Sequence, residues 1–457
     1  MSQCPFKPPY PEPLSPNQKR SWMNLIKRAK KSWLHTLYEG SYKNAITRVK
    51  LPGRKLFILK KPDDIRDVMV KSYKEFPKHN LNHEMLEPLL GNSIFTTNGE
   101  VWERQRRMLD PAFANAGLRT IFPTMKHTVE VMLDRMSQHP QGEPIEIDVV
   151  MTHVTADIIM RTILSYPLTE EESAELFHNF EVFQEKALRL NLFRMFRLPK
   201  LLNPYDYYQW KKTGGAIRKF IAKIIRQRLK SGEKKPDILQ GLIEAVDPET
   251  QTTFNEVELV DQVVMLFLAG HETSASSLSW AFYILAHEEE TLKSLQEEVQ
   301  EVAGGFVGVD FKNVHKLKRT RDVFRETLRL YPPVAFFART ATQDSSFQGC
   351  PVAKGDIVNL SPYITQRHVD YWKDPDVFNP ERFQNGEAKE SKDMYYPFGM
   401  GPRVCIGAAF ALQEALLVLA GIVDQYDLSL DEGHVPEPGV RITLRSLNGV
   451  RINIHKR

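Results

Sequence analysis

Apolar residues recur at helical spacing through most of the chain and alternate only near its two ends. Between Asn17 and Tyr38 one stripe carries Trp22, Leu25, Ile26, Ala29, Trp33 and Leu37, while Lys19, Arg20, Lys27, Arg28, Lys30 and Lys31 crowd the rest. That pattern predicts an amphipathic helix whose basic face is either solvated or laid on a membrane surface. Ala45–Leu51 and Lys55–Lys61 flank a Pro-Gly pair and predict a hairpin, after which Pro62-Asp63-Asp64 opens a helix. Helical periodicity then dominates to about residue 340 and includes one long helix over Phe254–His287. Near the other end, Arg441–Arg445 and Val450–Ile454 alternate on either side of Asn448-Gly449 and predict a second hairpin. The expected fold is mainly α with a small β-sheet. No repeat or long linker divides it, so residues 1–457 are expected to form a single domain, with a flexible proline-rich N-terminus over 1–16.

Composition narrows the function classes. The chain has 457 residues and a formal net charge of +4, too mild to argue for nucleic acid, and no glycine-rich phosphate loop precedes a helix. The only cysteines are Cys4, Cys350 and Cys405; their number and separation fit neither a disulfide framework nor a CxxC metal site. A reducing, cytoplasmic setting is expected. The opening MSQCPFKPPYPEPLSPNQ lacks the apolar core of a signal peptide, and the longest apolar runs are Val263–Gly270 and Ala415–Val423. These fall short of the roughly 20 residues of a spanning helix, so the expectation is a soluble protein, at most peripheral to a membrane.

The most informative segment is Phe398–Gly407, PheGlyMetGlyProArgValCysIleGly, a constrained loop followed by an apolar helix. It puts Cys405 at a helix N-terminus, where unpaired amides and the helix dipole favour a thiolate, with Arg403 adding positive charge. Gly407 removes a side chain where a flat ligand would lie, and Phe398 is placed to shield the sulfur. A buried cysteine by itself is ordinary packing. The spacing Phe398-x-x-Gly401-x-Arg403-x-Cys405-x-Gly407, however, resembles the cysteine-ligand signature of the cytochrome P450 family, with every position filled.

The resemblance extends over the chain beyond its first ~40 residues and implies a triangular-prism-like haem-thiolate monooxygenase fold with a long central helix over the haem. It implies non-covalent haem b, with Cys405 as the metal ligand. Glu326 and Arg329, a commonplace helical pair on their own, would join Arg382 of ProGluArgPhe in a buried network that holds the cysteine loop. Trp102, Arg106, Arg339 and Arg403 match the family's contacts to the haem propionates, which suits a dianion. In AlaGlyHisGluThr, Gly270 costs a helix about 1 kcal/mol and Thr273 can bond back to the Ala269 carbonyl, opening a groove. A polar seam in a helix bundle would read the same way. The family uses this groove for dioxygen, with Glu272 and Thr273 as the proton-handling pair.

Leu268–Ser276 and Leu89–Trp102 look like the fatty-acid and lipid hydroxylating branches. Where some of those enzymes carry a glutamate that esterifies the haem, this chain has Ala269. Gln366 stands where a histidine often precedes the arginine, and Glu288 where proline is usual. The expected partners are a small lipophilic substrate, O₂, and a ferredoxin or flavodoxin with its reductase, since no electron-transfer module is fused. The protein is expected to be a monomer that does not bind nucleic acid. Arg104, Arg107, Lys316, Lys318 and Arg319 are candidates for a basic docking face. Phe267, Leu268, Val334, Phe336 and Phe337 are candidates for the pocket, and Leu192–Leu202 for a lid. Two alternatives stand beside the monooxygenase: a peroxide-driven peroxygenase or isomerase, and a non-catalytic haem-binding sensor.

Overall fold

A computed structural model describes residues 6–15, 28–29, 31–51, 53–140, 142–195 and 203–457. The predicted Asn17–Tyr38 helix and the Leu192–Leu202 lid lie largely outside these residues. The end of the former that is described, Trp33–Thr36, is a 3₁₀ turn capped by Ser32 rather than a continuing α-helix.

The first hairpin forms as predicted: β1 (Ile46–Leu51) and β2 (Arg54–Leu59) pair antiparallel through Lys50–Lys55 and Leu51–Arg54. Helices α1 (Asn80–Leu90), α2 (Gly99–Leu109) and α3 (Asn115–Met136) follow. A two-residue strand β3 (Ile145–Glu146) leads into α4 (Ile147–Leu164), then α5 (Glu170–Met195) and α6 (Pro204–Ser231). The long helix predicted at Phe254–His287 is α7 (Glu256–His287), started by a capping box between Asn255 and Glu258. It is buried along most of its length and packs on α4, α6 and α9, so it is the central strut. Helices α8 (Glu289–Ala303) and α9 (Lys318–Leu330) follow. Then β4 (Phe337–Thr340) and β5 (Ile357–Leu360) join the first hairpin in a sheet ordered β1-β2-β5-β4. The last helix, α10 (Ala408–Gln425), has the length and composition of a membrane span, but it is packed against α3, α8 and α9 as a core element.

Two expectations are corrected. The flanks of Asn448-Gly449 do not pair with each other. After β6 (Tyr426–Leu430) and β7 (Pro438–Val440), strand β8 (Leu444–Ser446) pairs with β7, whereas β9 (Arg451–Lys456) joins β6 and β3. Gly449 does turn the chain at φ +79°, but Asn448 is tied to Glu437 and Val435 and Val450 N–H donates to Asp148. The turn therefore hands the chain from one sheet to another. Nor is the whole proline-rich start free. Phe6 stacks on His287 at 3.7 Å, the Tyr331 hydroxyl donates to the Pro9 carbonyl, and Leu14 N–H donates to Leu37, so residues 6–15 are a strap on the body.

Candidate active site

The loop before α10 is shaped by glycine. Gly399 and Gly401 hold φ of +74° and +69°, and a Cβ on Gly401 would lie 2.4 Å from the Met69 carbonyl oxygen. Cys405 N–H donates to Phe398 O at 2.8 Å, Arg106 Nη1 to Val404 O at 2.6 Å, and Arg403 Nη1 to the carbonyls of Tyr73 and Phe76. α10 begins at Ala408 with Gly407 as its cap, so Cys405 stands just before the helix. Burial pushes its thiol above the usual range, opposed by the Gly407 N–H and by Arg106. A metal cation bound at the sulfur would favour the thiolate, in the same sense as the helix end. Although deep in the fold, Cys405 is exposed to open space, and a Cβ on Gly407 would meet no atom within 4 Å. Room for a flat ligand exists on that side.

On α7, Ala269 is exposed in the middle of a helix that is buried from Leu259 to Leu268 and from Ser274 to Leu285, and Gly270 and Thr273 are half-exposed beside it. Thr273 Oγ1 donates to the Ala269 carbonyl at 2.7 Å, as predicted from the sequence. Gly270 has a different reason from the one expected. A Cβ there would sit 2.3 Å from Ile159 Cδ1, so the glycine admits α4 rather than shaping the groove.

Glu272 turns away from Thr273. Its Oε1 accepts from Thr443 Oγ1 at 2.8 Å and Gln184 Nε2 at 3.3 Å, and lies 3.6 Å from Arg445 Nη1. No local pattern singles out these three partners, which come from distant segments. His271 beside it is fully buried and held below its usual pKa by desolvation. Its Nδ1 meets the Phe267 carbonyl, Nε2 has no partner, and Phe267 stacks on the ring at 4.7 Å. Phe267 is thereby committed to packing rather than to a pocket. Val334, Phe336 and Phe337 remain half-buried, and Phe337 leans toward Tyr396 and Gly399 of the cysteine loop.

A cluster of buried and half-buried cations lies beside the loop. Arg339 is 6% exposed, and its one hydrogen bond goes to the carbonyl of Ala338. Burial and the nearby Arg403 push its pKa down to about 10. The Arg403 guanidinium lies 5.3 Å from the rings of both Trp102 and Tyr73, and its buried Nε has no partner. Lys78, which the sequence reading missed, is driven well below its usual pKa by burial and by Arg403, Arg339 and Arg106. Its ammonium donates to the carbonyls of Ile94 and Phe95 and lies 5.9 Å from the centre of the Trp102 ring. None of these three cations forms an ion pair among the described residues, although Glu103 lies within electrostatic reach of Arg403, and such a group suits a dianion. Arg106 is the exception, because its Nε pairs with Asp110 at 2.6 Å while Nη1 braces Val404.

The Glu326 network is formed and buried. Arg329 donates twice to Glu326 at 2.8 Å, and Arg382 Nε donates to Glu326 Oε1 at 3.2 Å. Gln366 is not turned toward the cations. It donates to the carbonyls of Leu328 and Arg329 and accepts from Tyr396 N–H, bolting the end of α9 to the approach to the cysteine loop. The expected basic face is largely neutralised: Arg104 pairs with Glu258, Arg107 with Asp247 and Glu249, and Arg319 with Glu301.

The family model for cytochrome P450 matches residues 12–447. The chain is 30% identical over 402 residues to cyclooctatin synthase of Streptomyces melanosporofaciens, covering 88% of this chain and 85% of that one. It is 29% identical to cytochrome P450 4A14 of Rattus norvegicus, over 93% and 88%, and 28% identical to a taurochenodeoxycholic 6 alpha-hydroxylase of Sus scrofa, over 88% and 82%. The crystal structure of the cytochrome P450DA heme domain superposes with a TM-score of 0.82 at 22% identity, covering 90% of both chains, which is a likeness of fold. The chain belongs to the cytochrome P450 family: it is a monooxygenase that holds haem non-covalently through a cysteine thiolate and works with O₂, a lipophilic substrate and redox partners.

Proposed function

We propose that this protein hydroxylates a C–H bond of a lipophilic substrate at haem ligated by Cys405, with electrons delivered by separate carrier proteins. The observation that carries this reading is an accessible sulfur at Cys405 beside three clustered cations, buried Arg339 and half-buried Arg403 and Lys78, none of them in an ion pair among the described residues. A ligand with a metal at its centre and two carboxylates on its edge answers both. Trp102 holds Arg403 from one face, and Arg106 braces the loop. Phe398, whose carbonyl accepts from the Cys405 N–H, and Gly407, with open space at its α-carbon, would flank the bound ring.

Bound there, haem supplies the activation of dioxygen. The chain supplies position and protons. Ala269 and Thr273 supply the exposed stretch of α7 that would face the haem, and the Thr273 hydroxyl, donating to Ala269 O, keeps its lone pairs free to accept. Glu272 holds a proton-accepting carboxylate one residue away, fixed by Thr443, Gln184 and Arg445. Ala269 offers no carboxylate for an ester, in keeping with non-covalent haem.

The named relatives differ in substrate, so likeness alone does not name this one. The half-buried Val334 and Phe336 favour an apolar ligand. Titrating the ferric protein with fatty acids, terpenoids and sterols, while following the haem spin state, tests the reading. A high-spin shift with one apolar class is expected. A shift only with polar aromatics would overturn the lipophilic assignment.

A further inference from the structure

Behind Glu272 lies a small cavity of about 20 Å³ with apolar walls that include Trp280 and Val450, into which polar groups come from Asp148 of α4, Ser276 and Ser279 of α7, and Arg445 and Ser446 of β8. That is room for one water molecule, and the lining offers more than the two to four polar partners that a buried water needs.

The hydrogen bonds around it are directional. Ser276 Oγ donates to the Leu444 carbonyl, Ser279 Oγ to Ala275 O at 2.7 Å, and Ser446 Oγ to Gly449 O at 2.6 Å. Each hydroxyl proton is committed elsewhere, so these oxygens can only accept from the cavity. Thr443, Gln184 and Arg445 all approach Oε1 of Glu272, which leaves Oε2 without a donor among the described residues. Arg445 can only donate, and at 34% side-chain exposure it reaches from the cavity to solvent. Asp148, half-buried, gives Oδ1 to the Val450 N–H and keeps Oδ2 free. A water accepting from Arg445 has both of its protons pointed at acceptors, one of them Glu272.

We propose that this cavity is the entry port for protons to Glu272, with Asp148 and Arg445 as its outer end and one water as its carrier. The inference rests on the monooxygenase reading above. The step moves a proton and no electrons. The water's O–H bond breaks as an O–H bond forms at Glu272 Oε2, and the water regains a proton from solvent at the Asp148–Arg445 mouth. Glu272 then releases its proton toward the Thr273 side of α7. Asp148 and Arg445 are positioning residues here, since neither reaches the reacting atoms.

Two variants test it in the full-length, haem-loaded protein. Asp148→Asn keeps an acceptor for the Val450 N–H and removes the charge at the mouth. Ser279→Val fills the cavity with methyl groups. Each is expected to lower reductant-driven turnover by on the order of tenfold with KM unchanged, to enlarge the solvent isotope effect, and to raise the peroxide released per reductant consumed. The reduced carbon monoxide spectrum and the substrate-induced spin shift should match the parent. Unaltered turnover and isotope effect in both variants would overturn the port. So would a change in Asp148→Asn alone, because it would show that the cavity carries nothing. Failure of the monooxygenase reading is separately visible, as loss of the thiolate-type carbon monoxide spectrum in the parent protein.

Discussion

At the scale of the residue, the cations make the account specific. Arg339 is buried and Lys78 half-buried, neither in an ion pair among the described residues, which costs the haem-free protein stability. Arg339→Leu should therefore leave the haem-free protein as stable as before, or more so, by thermal unfolding. The same change should weaken haem retention by on the order of ten- to a hundredfold, the worth of one charge-assisted hydrogen bond, measured by haem transfer to an acceptor protein. A loss of stability without a loss of haem affinity would mean that the guanidinium serves packing alone. Thr273→Ala removes the hydroxyl held on the Ala269 carbonyl and should divert reductant into peroxide while leaving substrate binding intact. Unchanged coupling would remove its role. Arg339, Arg403 and Cys405 were legible because their spacing is distinctive. Lys78 was not, since a lysine in a loop carries no sign that α2 and β4 will enclose it. Thr443 and Arg445 were equally hidden, lying more than 160 positions from Glu272.

At the scale of the element, α7 and α10 meet around a second buried carboxyl. Glu414 on α10 is enclosed and neither of its oxygens has a hydrogen-bond partner; burial pushes its pKa from 4.5 to about 8, with Ser274 the polar group that opposes the shift. Because the folded pKa is the higher one, Glu414's contribution to stability is fully present below about pH 4.5 and is lost as pH rises toward 8. Glu414→Gln should gain on the parent by several kcal/mol across that window, as read from denaturant midpoints at successive pH values. A constant difference would mean that the carboxyl titrates normally. The Glu326–Arg329–Arg382 network ties α9 to the segment before the cysteine loop, and Arg329→Ala should cost roughly 3–5 kcal/mol by leaving Glu326 buried and unpaired. A cost below about 1 kcal/mol, in the range of an exposed pair, would contradict that. Periodicity identified α7 within two residues, because its cap and its apolar run agree. It failed at Asn448-Gly449, where a good turn dipeptide joins strands of different sheets. Strand partners across that turn are chosen by the burial of Ile452 and Ile454 against β6, which no local pattern encodes.

At the scale of the molecule, mainly helical architecture with small sheets was readable from periodicity, and the family from one loop. The surface was much less so. Of the basic docking face expected from Arg104, Arg107, Lys316, Lys318 and Arg319, the three arginines are paired with carboxylates, while Lys316 and Lys318 stay exposed. The 6–15 strap likewise looks like a loose tail in sequence because its anchors, His287, Tyr331 and Leu37, lie elsewhere in the chain. All of this organisation converges on one sulfur. The most direct test is the carbon monoxide spectrum of the reduced protein beside that of Cys405→Ser. The account predicts a thiolate-type spectrum in the parent and its complete loss in the variant. A thiolate-type spectrum persisting without Cys405 would contradict the assignment of the ligand and of the site built around it.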